Sequence, residues 1–122
     1  MIRGVKFVSV PVADQDRALA FYVERLGFRV ETDQPMGPGQ RWIELAVPGA
    51  DTRVVLFTPD GQQDRVGSLA SATFWSDDVA ATYEQLKARG VEFQAPPTKQ
   101  PWGTFAIFKD SEGHLFVLST KN

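Results

Sequence analysis

Apolar and polar positions alternate from the start of the chain. In Val5–Val12 (VKFVSVPV), Val8, Val10 and Val12 share one side and Val5, Phe7 and Ser9 the other, a period of two that predicts a β-strand. Asp14 then offers an N-cap, and Leu19, Tyr22, Val23 and Leu26 recur at i, i+3, i+4 and i+7 until Gly27, the residue type that closes helices at C′. That spacing predicts an amphipathic helix of about three turns. Phe28–Thr32 reads as a strand and the Pro/Gly-rich Gln34–Gln40 as an exposed loop. Arg41–Val47 (RWIELAV) alternates again, with Ile43, Leu45 and Val47 on one face and Trp42, Glu44 and Ala46 on the other. A turn at Pro48–Asp51 leads to a strand over Arg53–Thr58, and the polar run Asp60–Gly67 is the expected linker.

The second half repeats the first. Asp77, Ala81, Gly90 and Phe93 lie 63 positions after Asp14, Ala18, Gly27 and Val30 (77 − 14 = 63), and the same offset lays Val54 and Val55 on Val117 and Leu118. The element order agrees: a strand over Leu69–Ser76, a helix over Val79–Arg89, then strands near Val91–Gln94, Thr104–Lys109 and Leu115–Thr120. The pattern predicts an α+β fold of two tandem βαβββ modules, 1–59 and 68–122, joined by a linker at 60–67 within one domain of 1–122.

Composition narrows the function classes. With 122 residues the chain can bury roughly two thirds of its unfolded surface, so it needs no staple to fold. The absence of Cys excludes thiol redox chemistry and thiolate metal sites. Thirteen basic against fifteen acidic residues (13 − 15 = −2), with no basic cluster, argue against nucleic acid as a partner. No apolar stretch approaches the roughly 20 residues that span a bilayer, so no membrane partner is expected. Met1–Val12 lacks the features of a targeting segment, and a cytoplasmic location is the expectation.

Several motifs are familiar. Asp14, Ala18, Phe21, Tyr22, Leu26, Gly27 and Phe28 resemble the first-helix signature of the vicinal oxygen chelate (VOC) superfamily, the glyoxalase/bleomycin resistance protein/dioxygenase group. Pro101, Trp102, Gly103, Asp110 and Gly113 resemble its second-module segments, with Ser111 in place of Pro and His114 in place of Asn. Order and spacing match over the whole chain. The resemblance implies a curled mixed sheet enclosing a cleft, helices outside, and a homodimer for chains this short. In enzymatic members, His, Gln or Glu from the first and last strands of each module hold a divalent metal. Here those positions fall at Phe7, near Val54, near Ser71 and at Val117. Divalent cations need several convergent N or O donors at roughly 2.0–2.6 Å. The expectation is therefore no metal and no cofactor. His114, the single histidine, is expected to make a local turn or strand-start hydrogen bond, on the side of Phe116 and Leu118. Glu44 reads either as a solvated edge-strand acid or as a polar handle for a ligand, where it would favour a cationic or N–H-bearing one; with a raised pKa it is a candidate general base.

Strand parity assigns faces. Val8, Val10, Ile43, Leu45, Val55, Phe57, Ala72, Phe74, Phe116 and Leu118 are expected under the helices. The expected cleft lining is Phe7, Ser9, Trp42, Glu44, Val54, Leu56, Ser71, Thr73, Trp75, Phe105, Ile107, Val117 and Ser119, with Trp102 as a further stacking candidate. An aromatic, mostly apolar lining with a few hydroxyls and one carboxylate suits a small molecule, although aromatics also fill dimer interfaces and closed cores. The expected function is a metal-free, bleomycin-resistance-like binding protein that sequesters a planar or amphipathic ligand. The alternatives are a metal-dependent glyoxalase-like lyase or isomerase or a dioxygenase, and a metal-independent enzyme with Glu44 as base.

Overall fold

The computed structural model describes residues 1–58 and 69–121, with the backbone alone for 69–71; the expected linker at 60–67 lies outside the described residues. The chain divides into two compact units, Met1–Val66 and Gly67–Asn122.

In the first unit, β1 (Phe7–Pro11) leads through the N-cap Asp14 into α1 (Gln15–Ala20), which widens into a π-helical turn over Phe21–Arg25. Strands β2 (Arg29–Pro35), β3 (Arg41–Ala46) and β4 (Arg53–Phe57) follow. The sheet order is β1-β4-β3-β2, with β1 parallel to β4 and the other pairs antiparallel. The Asp14 carboxylate accepts the Arg17 N–H at 3.0 Å, as its N-cap position requires. At the far end the Leu26 N–H reaches back five residues to the Phe21 carbonyl (3.2 Å), and Gly27, at φ 81°, closes the element. The wide turn changes the buried stripe. Gln15, Ala18, Phe21 and Tyr22 are buried, whereas Leu19, Val23 and Leu26 of the expected stripe are only half-buried.

Register corrects the face assignment of β4. Val54 pairs with Val8 and Leu45, and Leu56 with Val10 and Ile43, so Val54 and Leu56 share the face of Ile43 and Leu45. This is the helix face, because the side chain of Arg41, of the same parity on β3 as Ile43 and Leu45, reaches Asp16 on α1 (2.5 Å), and the buried Gln15 amide on α1 donates to the carbonyls of Leu56 (3.1 Å) and Arg41 (2.9 Å). Val55 and Phe57, expected under the helix, lie instead with Ser9 and Glu44. The cause is the unbroken apolar run Val54-Val55-Leu56, buried on both faces, in which alternation carries no signal. Strand β2 also runs to Pro35, into the expected loop, through pairs such as Gln34 with Trp42.

The second unit comprises β5 (Leu69–Trp75), α2 (Val79–Ala88), β6 (Glu92–Phe93), β7 (Thr98–Gln100), β8 (Gly103–Lys109) and β9 (Leu115–Ser119). Its order, β5-β9-β8-β6 with β7 also on β8, repeats the first sheet and adds the short β7. The N-cap is Asp78, whose carboxylate accepts the Ala81 N–H at 3.0 Å, not Asp77. Cap to closing glycine therefore spans 27 − 14 = 13 residues in the first unit and 90 − 78 = 12 in the second. The additional residue is accommodated by the π turn and takes the offset between the halves from 64 before the helix to 63 after it (78 − 14 and 90 − 27); a second one-residue difference, in the connection from β3 to β4 against that from β8 to β9, takes it to 62. By register, Val117 (paired with Thr73 and Ile107) matches Val55 (paired with Ser9 and Glu44), not Val54.

The helix face of this sheet is aromatic. Ring centroids run Tyr83–Phe93 at 4.7 Å, Phe93–Phe108 at 5.7 Å, Phe108–Phe116 at 5.7 Å and Phe74–Phe116 at 5.2 Å. The first sheet buries an aliphatic set, Val10, Ile43, Leu45, Val54 and Leu56. The β8–β9 turn is closed by the buried Asp110 carboxylate, which accepts the N–H groups of Glu112 (2.9 Å) and His114 (2.8 Å). His114 is 1% exposed and lies beside Phe116, at 6.4 Å between centroids, in the turn role expected of it.

Candidate ligand-binding faces

Each sheet has one face under its helix and one opposite face. On the opposite face of the first sheet, Phe7 and Trp42 meet edge to face, with centroids 5.6 Å apart at 77°, both half-buried. Register places Ser9, Val55 and Glu44 side by side across β1, β4 and β3. Ser9 is exposed. The Glu44 side chain is only 12% exposed, and an Arg53 guanidinium nitrogen lies 3.7 Å from one of its oxygens, with Arg53 itself 41% exposed. That separation makes an ion pair but exceeds hydrogen-bond length.

On the corresponding face of the second sheet, register aligns Thr73 with Val117 and Ile107, and Trp75 with Ser119 and Phe105. Trp102 stacks on Phe105 (5.8 Å, 23°), and the Lys121 ammonium sits 4.6 Å from the Trp75 ring centre. Trp75 and Trp102 are 53% and 56% exposed. Ser71 lies in β5 where the pairing register shifts. Thus the structure brings Phe7, Trp42 and Glu44 onto one face and Thr73, Trp75, Phe105 and Val117 onto another, and removes Val54 and Leu56 to the helix side.

Two partners escaped sequence reasoning. Arg53 opens β4, and its place beside Glu44 follows from the same parity that the apolar run conceals. Arg41 clamps the β2–β3 hairpin to α1: it donates to both carboxylate oxygens of Asp33 (3.1 and 2.8 Å) and to Asp16 (2.5 Å). These bonds hold the Asp33 carboxyl below the usual carboxylate range and push the guanidinium pKa further up. The alternation in 41–47 places Arg41 on a strand but not opposite Asp16, 25 residues away.

The residues present do not fit the metal that enzymatic relatives hold. The matching positions carry Phe7, Val55 or Val54, Ser71 and Val117; Phe and Val supply no donor atom, and one serine hydroxyl falls short of the several convergent donors a divalent cation needs. Among the described residues, no three His, Cys, Asp or Glu side chains converge. No helix among them is long and apolar enough to cross a membrane.

Paired βαβββ units match the fold of a known class, and the chain belongs to it: the Glyoxalase/Bleomycin resistance protein/Dioxygenase superfamily, whose family model matches residues 4–118. The chain is 41% identical to the uncharacterized protein YetH of Bacillus subtilis (strain 168), over 97% of this chain and 98% of that one. A superfamily member from Sphaerobacter thermophilus DSM 20745 superposes with a TM-score of 0.87 at 33% identity, covering 98% of both chains. TnmS3, an antibiotic binding protein from Streptomyces sp. CB03234, superposes with a TM-score of 0.85 at 40% identity, covering 99% of this chain and 98% of that one.

Proposed function

We propose that this protein is a metal-free binding protein that sequesters a planar or amphipathic small molecule on its aromatic faces, acting as a homodimer. The observation that carries this reading is the Phe7–Trp42 edge-to-face pair beside the poorly solvated Glu44 on the side of the sheet away from α1. The exposed Trp102–Phe105 stack and Trp75 on the second unit support it, as does 40% identity to an antibiotic binding protein. Exposed tryptophans are the side chains most suited to flat ligands, because stacking adds about 0.5–1.5 kcal/mol per ring pair beyond burial.

Magnitudes make a metal unnecessary for binding. Covering on the order of 300 Å² of apolar area contributes about 7 kcal/mol gross at 25 cal/mol/Å², before the cost of immobilisation. Reaching micromolar affinity, about −8 kcal/mol, then needs stacking plus a small number of good hydrogen bonds. Titration of a panel of flat aromatic antibiotics into the purified protein is expected to quench tryptophan fluorescence. It is also expected to raise the melting temperature by several degrees, since ligand at about 100 Kd stabilises by about 2.7 kcal/mol. Unchanged fluorescence and melting across the panel would refute the proposal. Sedimentation equilibrium tests the dimer, and a monomer at micromolar concentration would remove that part.

A further inference from the structure

The two units are built on one register, so the residue at a position in one sheet can be compared with the residue at the same position in the other. The position of Glu44, beside Val55 and two strands from Ser9, is occupied in the second unit by Ile107, beside Val117 and two strands from Thr73. An aliphatic residue therefore fits this place in the sheet, and the carboxylate is not required for strand pairing. It is also costly. Glu44 is largely withdrawn from water, yet among the described residues no donor lies within hydrogen-bond distance of it, its nearest cation being Arg53 at 3.7 Å. A carboxylate has room for about four donors, so this one keeps acceptor capacity for a ligand.

We propose that Glu44 and Arg53 form a polar subsite that accepts an O–H or N–H donor from the edge of an uncharged aromatic ligand lying against Trp42 and Phe7. This rests on the small-molecule-binding reading above and goes beyond it by assigning the ligand's chemistry. Arg53 decides against a cation. A ligand ammonium or amidinium at Glu44 would sit beside the Arg53 guanidinium, 3.7 Å from the same carboxylate, and be repelled by it. A phenol, aryl amine or amide donates to the carboxylate with the ion pair left intact, and Arg53, partly in solvent, is free to donate to an acceptor next to that group. The ring system of the same ligand then covers Trp42, whose half-buried face adjoins Phe7. Selectivity for the donor follows from the same imbalance: a ligand lacking it seals the carboxylate away from water without satisfying it.

The test compares three probes by isothermal titration calorimetry on the full chain: naphthol, its methyl ether, and naphthylmethylammonium. Naphthol is expected to bind about tenfold more tightly than the ether, the ratio for one hydrogen bond to a charged group, and the ammonium no more tightly than the ether. In Glu44→Ile, which copies the second unit, the naphthol preference is expected to fall below about twofold, with the ether's affinity unchanged or improved. Glu44→Gln, which keeps the shape and removes the charge, is expected to lie between and serves if the Ile variant does not fold. Equal binding of naphthol and ether would overturn the subsite while leaving the aromatic reading standing. Tightest binding by the ammonium would overturn the uncharged-ligand assignment. Failure of all three to bind would remove the aromatic reading itself and the subsite with it.

Discussion

The two units share a strand order and a register but have diverged in opposite directions on their two faces. Under its helix the first sheet packs aliphatic side chains, while the second packs a chain of phenylalanines joined to Tyr83. On the other face the first sheet carries the ion pair Glu44–Arg53 beside Phe7 and Trp42, where the second has Ile107 and more openly exposed tryptophans. Their helices differ by one residue, which the first accommodates as a π turn and the second lacks. Ile at one copy of this position and Glu at the other is the contrast on which the proposed subsite rests.

The largest effect is expected in the aromatic core. Phe116→Ala removes a ring that touches Phe74 and Phe108, and should lower unfolding free energy by about 3–5 kcal/mol in urea titrations, against about 0.5–1.5 for Ile43→Val in the aliphatic sheet. A loss below about 1 kcal/mol for Phe116→Ala would deny that this ring is a closely packed part of the core. Next come the helix starts. Asp14→Ala and Asp78→Ala should each cost about 1 kcal/mol, and Asp77→Ala close to nothing, because the cap bonds come from Asp14 and Asp78. A larger loss at Asp77 than at Asp78 would restore the simpler offset of 63 between the halves.

Much of this was legible because strands β3 and β9 alternate cleanly: Trp42 and Glu44 separate from Ile43 and Leu45, and Val117 from Phe116 and Leu118, by parity alone. The helix boundaries were legible from Gly27 and Gly90, whose φ values of 81° and 91° favour glycine. Strand β4 was not, since three consecutive apolar residues erase the period, and with it went the placement of Arg53. Strand β7 was hidden by its polar sequence, Thr98–Gln100 following Pro96 and Pro97, and gains its pairing only from β8. Contacts such as Arg41 with Asp16 need the tertiary register, which no local pattern encodes.

An effect no larger than that of the helix caps sharpens the comparison at the site. Glu44→Ile should raise stability by about 1 kcal/mol by replacing a poorly solvated ion-pair member with the residue type of the second unit. A loss of similar size would mean that the carboxylate is structural and its similarity to Ile107 superficial. The smallest effect is pH-dependent. The Asp33 carboxyl, bonded by Arg41, is more acidic folded than unfolded. Its contribution is therefore complete above its unfolded pKa and disappears as pH falls through the folded one. Both side chains are about a third exposed, so the contribution is a few tenths of a kcal/mol. Arg41→Ala should flatten that part of the acid limb of a stability–pH profile, and an unchanged limb would assign the acid sensitivity elsewhere.

Calorimetric titration of one flat aromatic ligand before and after exhaustive dialysis against a chelator bears most directly on the central claim. Micromolar binding with the same affinity and stoichiometry is expected in both. Binding that vanishes after dialysis and returns with zinc, nickel, iron or manganese would contradict it.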